Sequence, residues 1–279
     1  MRIAALQMVS TPEIDRNLEI ADRLIRSAAE DGAQLVLLPE VFATLEGLSP
    51  LSLVAERDAS TSVGAVTPLQ DFLSERAAAH AMTVIGGTLP LMSRPDGSLI
   101  DDGRVRASSL VYGADGERRG RYDKIHLFDV TVDDAQSDYS ESRSYEAGTD
   151  VSCVQAGELA IGLSVCYDLR FAELYAALGR QGAQLLTVPA AFTAVTGAAH
   201  WEPLLRARAI ENQCFVIAAA QGGRHSPSRV TWGHSMIVSP WGEVLDCCET
   251  GEGVAIADID LGTLDELRAR MPIAAHRRL

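Results

Sequence analysis

Apolar and polar positions along the chain alternate between a strand period and a helix period. The apolar run at residues 3–7 predicts a strand, and residues 14–31 carry apolar side chains at helical spacing up to Gly32, a residue typical of helix C-termini. The continuous apolar run at residues 35–38 predicts a buried strand that stops at Pro39-Glu40. The same strand–helix–strand order returns at residues 161–165, 171–178 and 185–188. This alternation predicts an α/β protein.

The remaining periodic segments complete this pattern. Further helices are predicted from Thr67-Pro68 onward and over residues 201–211 and 263–270. Further strands are predicted over residues 83–89, 105–112, 215–220, 236–238, 244–246 and 254–259. Residues 113–116 predict a turn, and the acidic stretch 129–150 predicts a loop.

One internal repeat divides the chain into two related parts. Residues 32–42 resemble residues 182–192, and each copy follows a predicted strand and helix. The repeat favours two pseudo-symmetric halves packed sheet to sheet, although two buried strands can also resemble each other by chance. No Pro/Gly/Ser-rich linker separates the halves, so we expect a single domain over residues 1–279 with a basic tail from about residue 271.

Charge and cysteine content narrow the classes of function. The 279 residues carry a net charge of −14, which disfavours nucleic acids and anionic membranes as partners. Residues 181–201 contain no Asp, Glu, Lys or Arg, but they include polar residues and Pro189 and do not predict a membrane span. Residues 1–8 are too short and too polar for a signal peptide. The five cysteines form no Cys-x-x-Cys pair, so we expect no disulfide framework, no metal site and a cytoplasmic location.

Cys166 is the first candidate for chemistry. It follows the apolar run 161–165 and precedes a helical pattern, which places it where a strand turns into a helix. A thiol at a helix N-terminus has a lowered pKa, and the N–H groups of such a turn can hold an oxyanion. The alternative is a buried structural cysteine.

Glu40 and Lys124 are the next candidates. Glu40 also follows a buried strand, where a carboxylate can act as a general base, or can cap a helix or form a salt bridge instead. Lys124 stands between Tyr122 and an apolar residue and could hold an oxyanion, although a surface lysine is the more common reading. His126 has no partner at metal-ligand spacing. The Gly-x-Ser-x-Gly, P-loop and Gly-x-Gly-x-x-Gly patterns are absent from the sequence.

Together these residues resemble the nitrilase, or carbon–nitrogen hydrolase, superfamily. The segments Leu37-Leu38-Pro39-Glu40, Tyr122-Asp123-Lys124-Ile125-His126 and Val165-Cys166-Tyr167-Asp168-Leu169-Arg170 match its hallmarks in the order Glu, Lys, Cys. A fourth match contains Glu141. The resemblance implies a four-layer α-β-β-α sandwich that pairs into homodimers or higher homo-oligomers. It also implies an amidase without cofactor or metal.

The resemblance assigns a role to each site residue. Glu40 would be the general base, Lys124 and the Tyr167 N–H the oxyanion donors, Cys166 the nucleophile that forms a thioester, and Glu141 a second glutamate that assists Glu40. Arg170, Thr196 and Phe192 would bind the substrate, with Arg170 and Thr196 at its 2-oxo-acid carboxylate. Ala147 and Ala172 stand where the family usually has proline.

Segments after residue 190 are similar to the branch of deaminated-glutathione amidases and omega-amidases. This similarity implies a small, anionic amide substrate such as deaminated glutathione. The alternatives are an omega-amidase on 2-oxoglutaramate, an N-carbamoyl amidohydrolase, an aliphatic amidase, a thiol acyltransferase, or a non-catalytic binding protein on the same fold.

Overall fold

Two β-sheets pack against each other at the centre of the structure, a computed structural model that describes residues 1–45 and 51–278. The first strand, β1 (Arg2–Gln7), shows how this packing arises. Ile3 and Ala5 join the apolar core that contains the second sheet, whereas Ala4 and Leu6 join a core on the opposite face, under two helices. Because side chains alternate along a strand, β1 is buried on both faces. The sheet that contains β1 is therefore an inner layer of the predicted α-β-β-α sandwich.

The first sheet has seven strands. In spatial order they are Gly253–Asp258 (β15), β1, Leu35–Leu37 (β2), Thr83–Ile85 (β3), Arg106–Tyr112 (β5) and Leu89–Leu91 (β4), with Arg118–Asp123 (β6) paired to β5. The C-terminal strand β15 pairs antiparallel with β1, so both ends of the chain build this sheet.

The second sheet has six strands. In spatial order they are Val244–Cys248 (β14), Ser235–Val238 (β13), Phe215–Ala220 (β12), Leu185–Ala190 (β11), Leu159–Leu163 (β10) and Cys153–Ala156 (β9). A separate hairpin joins Asp129–Thr131 (β7) to Asp138–Ser140 (β8).

Helices form the outer layers. They are Ile14–Glu30 (α1), Pro68–His80 (α2), Ala172–Arg180 (α3), Ala194–Asn212 (α4), Leu261–Arg270 (α5) and Ile273–His276 (α6). Helices α1 and α2 pack on the first sheet, and α3 and α4 pack on the second. None of the helices in the described part of the chain has the length and apolarity that crossing a membrane requires.

The two halves inferred from the repeat are both present. In the first half β1, α1 and β2 form a parallel strand–helix–strand unit with Ile3 opposite Leu35. In the second half β10, α3 and β11 form the same unit with Ile161 opposite Leu185. The carboxyl ends of β2 in the first half and of β10 and β11 in the second half can therefore meet between the sheets.

Three of the predicted segments differ from the structure, and the strands β6 and β9 were not predicted. The strand predicted over residues 83–89 is two strands, because Gly86-Gly87 interrupts it and Gly87 takes a φ of +27°. The acidic stretch 129–150 contains the β7–β8 hairpin and a 3₁₀ helix, Glu141–Arg143. Helix α4 begins at Ala194 instead of residue 201, because Thr193 accepts a hydrogen bond from the Thr196 N–H and caps it.

Gly87 occupies a position that a larger residue cannot share. A Cβ atom there would lie 1.9 Å from the carbonyl oxygen of Pro39. We expect Gly87→Ala to lower the free energy of unfolding by about 1–3 kcal/mol more than the penalty of its backbone conformation alone. Gly157→Ala is the matched control, because Gly157 also has a positive φ but no atom within 4 Å of the added Cβ. Urea unfolding of both variants measures the difference, and equal losses would contradict the packing argument.

Candidate functional site

The ends of three strands bring Glu40, Lys124 and Cys166 together. Glu40 follows β2 after two residues, Lys124 follows β6 directly, and Cys166 opens a 3₁₀ helix (Cys166–Arg170) after β10. All three side chains are buried, with residue exposures of 5%, 2% and 7%. Lys124 is therefore not the surface lysine that was its alternative interpretation. Cys166 lies beside it in the same buried pocket.

The ammonium group of Lys124 lies between two carboxylates. Its Nζ is 2.8 Å from Oε1 of Glu40 and 2.8 Å from each carboxylate oxygen of Glu141. Burial by itself would lower the pKa of Lys124, but Glu141 and Glu40 outweigh burial and hold that pKa well above its ordinary value. Lys124 is therefore charged, and it links the first sheet to the segment that carries Glu141.

Glu141 stands at the start of the 3₁₀ helix Glu141–Arg143, directly after the β7–β8 hairpin. Its Oε2 accepts a hydrogen bond from the Phe128 N–H at 2.6 Å. Burial raises the pKa of Glu141, and Lys124 opposes that shift. Because Glu141 and Lys124 are in direct contact, their protonation states depend on each other.

Glu40 is held from both halves of the molecule. Its Oε2 accepts a hydrogen bond from the Ala191 N–H at 2.9 Å, and its backbone carbonyl accepts one from Gln221 at 3.0 Å. Ala191 and Gln221 follow β11 and β12 of the second sheet. The Ala191 N–H therefore orients the carboxylate and Gln221 holds the backbone of Glu40, and both donors lie more than 150 residues away along the chain.

Cys166 adopts a backbone conformation that is rare for a residue other than glycine, with φ of +49°. Its thiol lies close enough to the Glu40 carboxylate and the Ala191 N–H for both to influence its pKa. Burial, and then the charge of Glu40, raise the pKa of the thiol well above its ordinary value, against the opposing effect of Lys124. The prediction that the helix N-terminus lowers the pKa of Cys166 is therefore wrong. The thiol is protonated at neutral pH, and the Glu40 carboxylate that lines the same cavity is a group able to remove that proton.

Asp168 fixes the turn that presents Cys166, a role that the sequence did not indicate. The side chain is fully buried, and its Oδ2 accepts hydrogen bonds from the Val165 N–H at 2.9 Å and the Tyr122 hydroxyl at 2.7 Å. Its Oδ1 accepts from the His126 N–H at 3.0 Å and contacts His126 Nδ1 at 2.7 Å. Asp168 therefore ties the Cys166 turn to the segment that carries Lys124. His126 is a partner of this network, in line with the structural role expected for a lone histidine.

The site opens into a cavity of about 530 Å³. Of the expected oxyanion and substrate residues, Tyr167, Phe192 and Thr196 line it together with Glu40, Lys124, Glu141 and Cys166. Thr196 lies in the first turn of α4, where its hydroxyl is 2.9 Å from that of Thr193. The cavity wall thus contains both reactive groups and aromatic surface, as small-molecule sites do.

Arg170 is not among the residues that line this cavity. Its guanidinium lies 3.2 Å from His200 Nδ1 and 5.4 Å from the centre of the Phe192 ring. Among the described residues, Arg170 forms no ion pair with the nearby acids Asp168 and Glu173. Arg229, Gln136 and Tyr139 do line the cavity, and the sequence had not singled them out.

Ala147 and Ala172 are the two alanines at positions where the family usually has proline. The carbonyl of Ala147 accepts a hydrogen bond from Arg106, and the next residue, Gly148, donates from its N–H to the Lys124 carbonyl at 2.8 Å. Ala172 is the first residue of α3. Hydrogen bonds and an ion pair between Arg106 and Glu146 therefore hold the loop in place of a proline ring.

No group of three or more His, Cys, Asp or Glu side chains within residues 1–45 and 51–278 is arranged to hold a metal ion. The chemistry available at the site is that of a protonated thiol, a carboxylate base and a fixed cation. This combination is suited to nucleophilic attack on a carbonyl carbon.

Comparison with known proteins agrees with this chemistry. The family described as carbon–nitrogen hydrolase matches residues 2–269. A protein named deaminated glutathione amidase from Synechocystis sp. is 41% identical over 98% of this chain and 97% of its own length. The omega-amidase NIT2 of Xenopus tropicalis is 38% identical over 99% of this chain and 95% of its own length.

A solved structure gives the same result for the fold. The crystal structure of Nit3 from Saccharomyces cerevisiae, described as a member of branch 10 of the nitrilase superfamily, superimposes with a TM-score of 0.86. The two sequences are 26% identical, and the match covers 100% of this chain and 97% of Nit3. The two-sheet architecture is therefore that of the nitrilase superfamily.

Removal of the Asp168 carboxylate should destabilise the protein strongly. Asp168→Ala leaves the buried Val165 N–H and Tyr122 hydroxyl without their acceptor, and we expect a loss of about 3 kcal/mol or more in the free energy of unfolding. Asp265→Ala, at an exposed position of α5, should change it by less than about 0.5 kcal/mol. Chemical denaturation distinguishes the two, and a small loss for Asp168→Ala would show that the turn holds itself.

The pKa of the Cys166 thiol can be tested by alkylation, because only the thiolate reacts with iodoacetamide. In the unmodified protein the alkylation rate of Cys166 should still be rising with pH above about 8.5, the ordinary thiol value. Glu40→Gln removes a negative charge that raises this pKa, so the midpoint of the pH profile should fall. Peptide mass spectrometry follows Cys166, and the peptide with Cys247 and Cys248 serves as the internal control. A midpoint that stays fixed or rises in Glu40→Gln would contradict the assigned cause.

Proposed function

The chain belongs to the carbon–nitrogen hydrolase family, and we propose that this amidohydrolase cleaves the amide of a 2-oxo acid such as deaminated glutathione through a Cys166 thioester. The observation that carries the mechanism is the position of the Glu40 carboxylate, which binds the Lys124 ammonium at 2.8 Å and lines the same cavity as Cys166. The substrate assignment is supported by the name and the 41% identity of the Synechocystis relative.

The first half of the reaction forms the thioester. Glu40 takes the proton from Cys166 Sγ, and the sulfur forms a bond to the amide carbonyl carbon. Lys124 and the Tyr167 N–H stabilise the oxygen as it gains negative charge. Glu40 then gives its proton to the amide nitrogen, the carbon–nitrogen bond breaks, and the amine or ammonia leaves.

Two features support the oxyanion donors. Tyr167 is the second residue of its 3₁₀ helix, and N–H groups in the first turn of a helix have no acceptor within that helix. The Lys124 ammonium has three N–H donors. One binds Glu40 and a second is shared by the two carboxylate oxygens of Glu141, so the third is available to the substrate oxygen. Both groups line the cavity beside Cys166.

The second half of the reaction releases the acid. Glu40 takes a proton from water, and the resulting oxygen nucleophile attacks the thioester carbonyl. The carbon–sulfur bond breaks and the thiolate regains the proton from Glu40. Glu141 assists by keeping Lys124 in place.

Substrate contacts are proposed for Phe192, Thr196 and Arg170. Phe192 and Thr196 line the cavity and can contact the carbon chain and the carboxylate of the substrate. Arg170 packs against the Phe192 ring, from where it can add positive charge close to the cavity. An omega-amidase acting on 2-oxoglutaramate is the second candidate, favoured by the 38% identity to omega-amidase NIT2. N-carbamoyl and aliphatic amides, and transfer of the thioester to an amine, are further outcomes of a substrate panel.

We also propose a homodimer located in the cytoplasm. Ile210 and Trp241 support the dimer, because they are 45% and 70% exposed. They also lie close together, since a Cβ on Gly242 would be 2.6 Å from the Ile210 side chain. The five free cysteines support a reducing compartment.

Removal of the nucleophile should abolish hydrolysis. Cys166→Ala should release product from deaminated glutathione and 2-oxoglutaramate only at the uncatalysed rate, whereas Cys153→Ala should retain activity. Lys124→Ala should lower kcat by about 10²–10³-fold, as loss of an oxyanion donor does. Mass spectrometry of the unmodified enzyme during turnover should detect an acyl adduct on the Cys166 peptide. Retained activity in Cys166→Ala would disprove the mechanism, and inactivity of the unmodified protein on every amide tested would favour the non-catalytic reading.

A further inference from the structure

Arg229 lines the same cavity as the catalytic residues but takes no part in the proposed reaction. Its guanidinium carbon lies 4.9 Å from the centre of the Tyr139 ring, and its Nη2 is 3.3 Å from the Ala191 carbonyl. The N–H of that same Ala191 residue binds Glu40. Arg229 therefore lies on the wall of the cavity and is linked to Glu40 through Ala191, which contacts both residues.

The donors of Arg229 are poorly used within the described residues. The Nη1 contact to Gln136 Oε1 is 3.4 Å and the Nη2 contact to Ala191 is 3.3 Å, both at the long end for a hydrogen bond. The Nε atom is buried without a hydrogen-bond partner. No carboxylate of residues 1–45 or 51–278 forms an ion pair with Arg229, although other arginines of the chain, such as Arg94, Arg106 and Arg121, do form ion pairs. A guanidinium in this state can still accept a bidentate anion.

The balance of charge in the cavity requires such a cation if the substrate is anionic. Lys124 is shared by Glu40 and Glu141, so these three groups together carry one net negative charge when both glutamates are ionised. Arg170 does not line the cavity. Arg229 is thus the one cation in the described cavity wall whose charge is not already neutralised by a carboxylate.

We propose that Arg229 binds a carboxylate of the amide substrate and thereby selects anionic amides over neutral ones. Tyr139 holds the guanidinium through a cation–π contact. The long hydrogen bond to the uncharged Gln136 side chain is one that a substrate carboxylate oxygen can replace. This inference rests on the proposed amidase function and adds to it a residue that determines specificity.

The test compares 2-oxoglutaramate with its methyl ester, which has nearly the same shape but no carboxylate charge. Binding is measured by titration calorimetry on Cys166→Ala, which cannot turn the ligand over, with and without Arg229→Gln. We expect Arg229→Gln to weaken binding of the acid about 10–100-fold, as loss of a charge-assisted hydrogen bond does, and to change binding of the ester by less than about threefold. Arg229→Lys keeps the charge without the planar fork and should give an intermediate loss for the acid.

The matched control is Arg224→Gln. Arg224 is exposed on the same segment, contacts the Pro227 carbonyl and does not line the cavity, so both ligands should bind this variant as before. Equal weakening of acid and ester by Arg229→Gln would overturn the inference, because a purely structural role of Arg229 affects both ligands alike. Equal affinity of Cys166→Ala for the acid and the ester would overturn it as well.

Ammonia release by the protein with Cys166 intact separates this inference from the proposed function. If that protein releases no ammonia while binding of the acid still depends on Arg229, the amidase function is wrong and the anion site stands. If it releases ammonia from acid and ester with the same kcat/KM, and Arg229→Gln leaves this ratio unchanged, the function stands and the role of Arg229 is wrong.

Discussion

The buried ammonium of Lys124 is the interaction on which the rest of the site depends. A charged group removed from water is costly unless its geometry and partners compensate, and here two carboxylates at 2.8 Å do so. Those partners come from separate parts of the chain, one after β2 and one after the β7–β8 hairpin. The strand order of the first sheet and the path of residues 129–150 therefore have to be correct at once for the lysine to be buried at all.

The second sheet supplies what the first cannot, namely the proposed nucleophile Cys166 and the Ala191 N–H that orients Glu40. Cys166 reaches Glu40 because Asp168 binds the turn from inside, and the Ala191 N–H holds the opposite oxygen of Glu40. Neither sheet by itself contains a complete site. The packing of two similar halves places their strand ends face to face, and the chemistry is located at that junction, as is common for ligand sites at strand carboxyl ends.

The charge of the protein acquires a local structure in the folded state. Residues 129–150 contain seven acidic side chains and one basic side chain, in a protein of net charge −14. Several of these acids act within the fold: Glu141 binds Lys124, Asp134 accepts from Tyr139, and Glu146 pairs with Arg106. An anionic amide of the kind proposed as substrate would therefore approach a negative surface and a site that is itself negative when both glutamates are ionised. The cation that favours it has to be inside the cavity, where low dielectric strengthens the interaction.

The sequence by itself determined the order of most strands and helices, the two related halves and the three residues Glu40, Lys124 and Cys166. These features depend on local periodicity and on residues adjacent to strand ends, which a sequence displays directly. It did not determine the break at Gly87, the β7–β8 hairpin, the early start of α4, the bonding of Asp168, the position of Arg229 or the direction of the thiol pKa shift. Lys124 and Glu40 are 84 residues apart and Ala191 and Glu40 are 151 apart. Burial and electrostatic coupling between such residues exist only after the sheets have packed, and so tertiary structure alone decided them.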